Sequence, residues 1–109
     1  MTDLLQQHCQ HRTGAAMGDA EVQDHLAQVP TWHHTDTAIA KTFKFKNFHE
    51  TMAFVDALAW IAHREDHHPE LEVSYGSCLV RFSTHSVGGL SANDFICAAR
   101  ADALVSLAG

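Results

Sequence analysis

Four histidines, His63, His67, His68 and His85, fall where a helical pattern gives way to a hairpin pattern and then to a glycine break. An imidazole takes up or gives up a proton near neutral pH, and it also binds metals. Two chemistries are therefore open. In the first, one imidazole holds a proton while a second accepts one, as general acid–base catalysis requires. In the second, His63 and His67, spaced i and i+4 on a helix, bind zinc with His85 as a third ligand. Against the metal, no carboxylate or thiol ligand is indicated at the required spacing. A blander alternative is that these are ordinary surface or core histidines whose polar atoms are satisfied. Ser83 and Ser86 flank His85, but nothing marks either as a nucleophile with an orienting partner.

The elements that must position these residues are readable from periodicity. Asp19 is placed to cap a short helix carrying Val22, Leu26 and Val29, which Pro30 closes. From Ala38 to Phe45 the period is two, with Ile39, Phe43 and Phe45 on one face and Thr42 and Lys44 on the other, and a pairing strand is allowed near Trp32. Phe48 to about Asp66 is helical, with a stripe of Phe48, Met52, Val55, Ala59 and Ala62 flanked by Leu58 and Trp60. Pro69 biases His68 away from helical angles, so the helix stops by about His67. Gly76-Ser77 signals a two-residue hairpin loop, which pairs Tyr75 with Cys78, Val73 with Val80, Leu71 with Phe82 and Glu72 with Arg81. Continued backwards, that register sets His68 opposite His85, with His67 beside them. Ser91 and Asp94 read as a capping box opening a last helix whose inner face is Ile96, Ala99 and Ala103. The order implies an α+β domain, an antiparallel sheet with helices packed on one face.

Composition bounds the rest. The chain has 109 residues, enough for one domain (residues 19–109), preceded by a polar, partly ordered arm (residues 1–18). Seven Lys+Arg against 13 Asp+Glu give a formal net charge of −6, which argues against nucleic acid and anionic membranes as partners. The three cysteines are odd in number and far apart in sequence, so no disulfide framework or zinc ribbon is indicated. No signal-peptide or membrane-spanning run is visible, and a cytoplasmic location is expected. Ten histidines are many for this length; His8, His11, His25, His33, His34 and His49 read as solvated, and Phe54 and Trp60 as packing residues.

The blocks His67-His68-Pro69, Thr84-His85 and Gly88-Gly89-Leu90-Ser91 with Asp94, together with Phe43-Lys44-Phe45-Lys46-Asn47-Phe48 and Ala53-Phe54-Val55, resemble the pterin-4a-carbinolamine dehydratases over roughly residues 19–107. The resemblance implies a four-stranded antiparallel sheet with three helices. It implies removal of water from 4a-hydroxytetrahydrobiopterin to give quinonoid dihydropterin, recycling the cofactor of aromatic amino-acid hydroxylases without metal or organic cofactor. It carries the catalytic roles to His67, His68 and His85, with His67 and His85 for proton transfer and His68 mainly holding the pterin. Asp66 and Pro69 are implied to shape the pocket, and Ser83, Thr84, His85 and Ser86 to line its other wall. A homodimer or homotetramer is implied as well. Some members of the family serve instead as dimerisation cofactors of a transcription factor, so a non-catalytic, partner-binding module is the alternative. The chain departs from the family where His63 replaces a frequent Glu, where Thr31 replaces Gly, and where Ser91 replaces Thr at the cap; the last two are expected to lie away from the chemistry.

Overall fold

The computed structural model describes residues 3–108; Met1, Thr2 and Gly109, which the expected arm and domain include, lie outside the described residues. Among the described residues there are three helices, α1 (Asp19–Leu26), α2 (Phe48–Glu65) and α3 (Ala92–Ala108), and four strands, β1 (His33–Thr35), β2 (Ala38–Lys44), β3 (Glu70–Val73) and β4 (Ser77–Phe82). The strands form one antiparallel sheet in the order β1-β2-β4-β3. Period-two alternation gives the sheet one apolar face: Ile39, Phe43, Cys78, Val80 and Phe82 are buried, and α2 and α3 both contact β4. Thr42, Lys44, Glu70 and Glu72 alternate with them on the opposite, exposed face. The expected α+β architecture is the observed one.

The hairpin turns one residue earlier than its Gly-Ser signal suggests. Ser74 N–H donates to the Ser77 carbonyl at 2.8 Å, leaving Tyr75 and Gly76 as the loop. The register is then Val73 with Cys78, Leu71 with Val80 and Glu70 with Arg81, while Glu72 faces Leu79. The expected Glu72–Arg81 pair is thus replaced by Glu70–Arg81. Each partner moves by two residues, which leaves every side chain on its face. That parity is why the apolar alternation was compatible with the wrong register. Phe45 N–H donates to the Gly76 carbonyl at 2.8 Å and the Phe45 carbonyl lies 3.1 Å from where a Cβ on residue 76 would sit, so β2 holds the turn closely.

Helix α2 is rotated from the expected stripe. Thr51, Phe54, Leu58 and Ala62 are buried, whereas Phe48 is 50% exposed and Trp60 62%. The inner row includes a polar residue because the Thr51 hydroxyl lies 2.8 Å from the Tyr75 carbonyl and 3.0 Å from that of Asn47, so its proton always has an acceptor. Trp60 is therefore not a packing residue, and Phe48 stacks on Tyr75 outside the core. The Asn47 side chain accepts from Glu50 N–H at 2.8 Å and caps the helix. Helix α1 is capped by Gly18 through its backbone alone, with Asp19 as first helical residue, and it ends at Leu26, before Pro30.

In α3 the expected single face of Ile96, Ala99 and Ala103 is replaced by burial nearly all round, through Phe95, Ile96, Cys97, Ala98 and Ala101. The reason is the N-terminal segment. Leu4 is buried in the core, Arg100 Nη2 donates to the Gln7 carbonyl at 2.6 Å, and Cys9 Sγ lies 3.5 Å from Cys97 Sγ. Met17 N–H donates to the Leu90 carbonyl at 2.8 Å, and a Cβ on Gly89 would come within 2.9 Å of Ala16 Cβ. The segment before α1 therefore covers the side of α3 that the sheet does not.

Candidate active site

Helix α2 ends in a left-handed residue, Asp66, with φ of 50°. Its N–H donates to the His63 carbonyl at 3.3 Å, and that of His67 to the Ala62 carbonyl at 3.2 Å. This double bond pattern is a Schellman end, in which aspartate tolerates the positive φ better than most residues. It turns the chain so that His67 points back under the sheet. The His67 ring lies parallel to Phe82 at the end of β4, with centroids 6.0 Å apart and planes 12° from parallel.

His67 Nε2 is 2.7 Å from Asp94 Oδ1, and the two side chains are 11% and 0% exposed. Asp94 Oδ2 accepts from the Thr84 hydroxyl at 2.8 Å and from Ser91 N–H at 3.0 Å. The Thr84 and Ser91 hydroxyls are themselves 2.8 Å apart, and Ser91 Oγ accepts from Asn93 N–H at 3.2 Å. The capping box is thus present, but one carboxylate does two jobs: Oδ2 closes the helix end and Oδ1 accepts a hydrogen bond from His67 Nε2–H. Fixing that proton leaves the lone pair of the neutral ring on Nδ1. Asp94, read from sequence as a cap, is also the partner of His67 at the back of the candidate site, a contact the sequence reading missed. Ser91, expected to lie away from the chemistry, is bonded to both members of the network behind His67.

The network backs onto a cleft of about 580 Å³, a size ordinary for a small-molecule site. Asp66, His67 and His68 line one side, and Ser83, Thr84, His85 and Ser86 another. Pro69 is not among the lining residues. His68 and His85 are exposed, and they meet through the cleft and not across a ladder: β3 begins at Glu70, β4 ends at Phe82, and His85 opens a 3₁₀ turn, His85–Val87. Gly88, with φ of 70°, ends that turn, and Thr84 N–H donates to the Gly89 carbonyl at 2.7 Å. The expected His68–His85 cross-strand pairing is therefore corrected to convergence around a cavity.

His63 stands outside the cleft, exposed and tilted against Trp60 at 5.7 Å. Among the described residues no group of three or more His, Cys, Asp or Glu is placed to hold a metal ion, so the His63–His67–His85 set does not assemble.

The remaining wall comes from the N-terminal segment: Cys9, Gln10, His11 and Arg12 line the cleft, with Asn93. Glu65 Oε1 accepts from Cys9 N–H at 2.7 Å, and Oε2 lies 3.1 Å from His8 Nδ1. Burial alone would raise the Glu65 carboxyl, but the Cys9 N–H, His8 and the Arg100 guanidinium outweigh it and hold the group below the usual carboxylate range. The Cys97 thiol is pushed well up by its bond with Cys9 and by burial. Of the histidines read as solvated, His8 bonds Glu65, His11 lines the cleft and His25 lies against Phe95; His33, His34 and His49 are exposed. No helix among the described residues is long and apolar enough to cross a membrane.

Residues 15–104 match the family model described as pterin 4 alpha carbinolamine dehydratase. A protein of Xanthomonas campestris pv. campestris named "Putative pterin-4-alpha-carbinolamine dehydratase" is 55% identical over 108 residues, covering 93% of this chain and 92% of that one. A crystal structure titled as a transcriptional coactivator/pterin dehydratase from Brucella melitensis superposes with a TM-score of 0.79 at 31% identity, covering 82% of this chain and 97% of the other. A pterin dehydratase-like protein identified as a RuBisCO assembly factor in the alpha-carboxysome gives a TM-score of 0.60 at 25% identity, covering 68% and 88%. The match of the family model, over a stretch that includes both His67 and Asp94, and of relatives along most of the chain places this chain in the pterin-4a-carbinolamine dehydratase family.

Proposed function

We propose that the chain is an active dehydratase that removes water from a 4a-hydroxytetrahydropterin, with His67, His68 and His85 as its site residues. The observation that carries this reading is the 2.7 Å His67–Asp94 pair at the back of a cleft that His68 and His85 also line. In the reaction a base takes the N5 proton, the N5–H electron pair forms the C4a–N5 double bond, and the C4a–O bond breaks. The hydroxyl leaves as water with a proton from an acid, so no net proton or electron is exchanged. Asp94 holds a proton on His67 Nε2, which equips Nδ1 as acceptor; His85, on the opposite wall, supplies the acid. His68 and the Ser83–Ser86 segment hold the pterin, with Asp66 and Pro69 shaping the turn beside it. The same parts serve a cytoplasmic recycling role behind an aromatic amino-acid hydroxylase, and a homo-oligomeric state accords with the family.

The titles of the fold relatives name a coactivator and an assembly factor, which makes a partner-binding module the competing reading. The buried network of Asp94, Thr84 and Ser91 favours catalysis, because a partner-binding surface has no use for a fixed imidazole tautomer. The test is ultraviolet detection of dehydration after mixing with freshly generated 4a-carbinolamine. Acceleration over the spontaneous rate at micromolar protein is expected; its absence would overturn the proposal.

A further inference from the structure

We propose that Arg12 is a substrate-binding residue of the cleft, donating hydrogen bonds to a lone-pair-bearing edge of the bound pterin. The proposal rests on the dehydratase reading above and extends it to a segment that the family match, residues 15–104, does not include. Arg12 is half-buried and lines the same cleft as His67, His68 and His85.

What fixes it there is Asn93, which is buried at the start of α3. Asn93 Oδ1 accepts from Gln10 N–H at 3.0 Å and from Arg12 Nε at 3.0 Å, and Asn93 Nδ2 donates to the Gln10 carbonyl at 2.7 Å. The clamp uses Nε alone. A guanidinium carries further N–H donors on its two Nη atoms, in a rigid planar fork. Among the described residues no carboxylate forms an ion pair with Arg12, in contrast to Lys41 with Asp102 and Arg100 near Glu65. The fold thus orients this cation in the cleft through Asn93, without a carboxylate ion pair among the described residues. An arginine accepts no hydrogen bond, so it recognises carbonyl oxygens and ring nitrogens, which a pterin presents along its pyrimidinone ring.

The experiment uses the full chain, with 7,8-dihydrobiopterin as a non-reacting probe for equilibrium binding and the carbinolamine for steady-state rates. Alkylation of Cys9, the one half-buried thiol beside the buried Cys78 and Cys97, reports whether the segment stays docked. For Arg12→Ala we expect Kd and KM to rise about tenfold or more, kcat to change little, and Cys9 alkylation to stay at the wild-type rate. Arg12→Lys, which keeps the charge without the fork, should recover part of the loss. Unchanged Kd and KM in Arg12→Ala would overturn the proposal, as would a loss of binding matched by faster Cys9 alkylation, which would make Arg12 a clamp residue only. Failure of the wild-type chain to bind the pterin would overturn the dehydratase reading together with this one, an outcome distinct from a wild type that binds and a variant that binds equally.

Discussion

His67 and Asp94, 27 positions apart in sequence, meet at 2.7 Å through Nε2 and Oδ1, with the aspartate fully buried. Asp94→Asn keeps the shape and removes the charge. The amide then sets an N–H donor against one of three existing donors, His67 Nε2, Thr84 or Ser91 N–H, and His67 loses the partner that fixes its tautomer. Dehydratase kcat should fall about 10²–10⁴-fold, the range expected when a positioned base is mis-set. Asp94→Ala additionally strands the three donors and should cost roughly 3 kcal/mol in denaturant unfolding. An Asn variant of near wild-type rate would remove Asp94 from the mechanism.

Thr84 is buried, and its hydroxyl ties Asp94 Oδ2 to Ser91 Oγ. Thr84→Val deletes that hydroxyl at nearly constant volume. Asp94 keeps Ser91 N–H and His67, so the expected cost is about 1–2 kcal/mol of stability, read as a fall in Tm, with a smaller kcat loss than in Asp94→Asn. Thr84→Ser, which keeps the hydroxyl, should restore most of both.

These two residues also show how much the sequence disclosed. Strand alternation placed every β4 side chain on its correct face, and the Pro69 break located the end of α2. The hairpin register differs by two residues from the one the Gly-Ser signal predicts, a shift that preserves the faces and that the alternation therefore has no power to exclude. His67, His68 and His85 were legible as a group, but their meeting point is a cavity behind a Schellman end and not a strand pair. Asp94 was legible only as a cap, since one carboxylate oxygen accounts for the capping signal and the second leaves no mark in local spacing. The cleft wall from Cys9 to Arg12 was not legible at all. It has no periodicity, and its contacts with Glu65 and Asn93 span more than 50 residues.

Lys41 sits on the apolar face of β2, tolerated there because its Nζ is 2.7 Å from Asp102 Oδ1 and 4.6 Å from the Phe43 ring centroid. Asp102 also accepts from the buried Trp32 indole N–H at 3.1 Å. Asp102→Ala leaves that N–H without an acceptor, and the cost should be about 1–3 kcal/mol. The Lys41 pair is partly exposed and adds little to it. Because Asp102 lies outside the cleft, kcat/KM should stay within about twofold of wild type, the additivity expected of distant sites. A larger kinetic effect would mean that α3 transmits the change to Asp94.

Glu65 carries the pH dependence of the N-terminal wall. Its side chain is 6% exposed, and it faces Cys9 N–H, His8 and Arg100. Its carboxyl is held below the ordinary glutamate value of 4.5, since the three partners together outweigh the burial that would raise it. A depressed folded-state pKa stabilises the docked form at every pH above the unfolded value, and that contribution is lost as pH falls through the folded value. The segment should therefore stay docked from neutral pH down to about 4.5 and loosen below it, seen as growing susceptibility to an acid-active protease between Gln7 and Arg12. Glu65→Gln removes the titrating group. It should give a segment that is looser at neutral pH and whose cleavage no longer depends on pH through this window. Unchanged acid sensitivity in Glu65→Gln would assign the transition to another carboxylate.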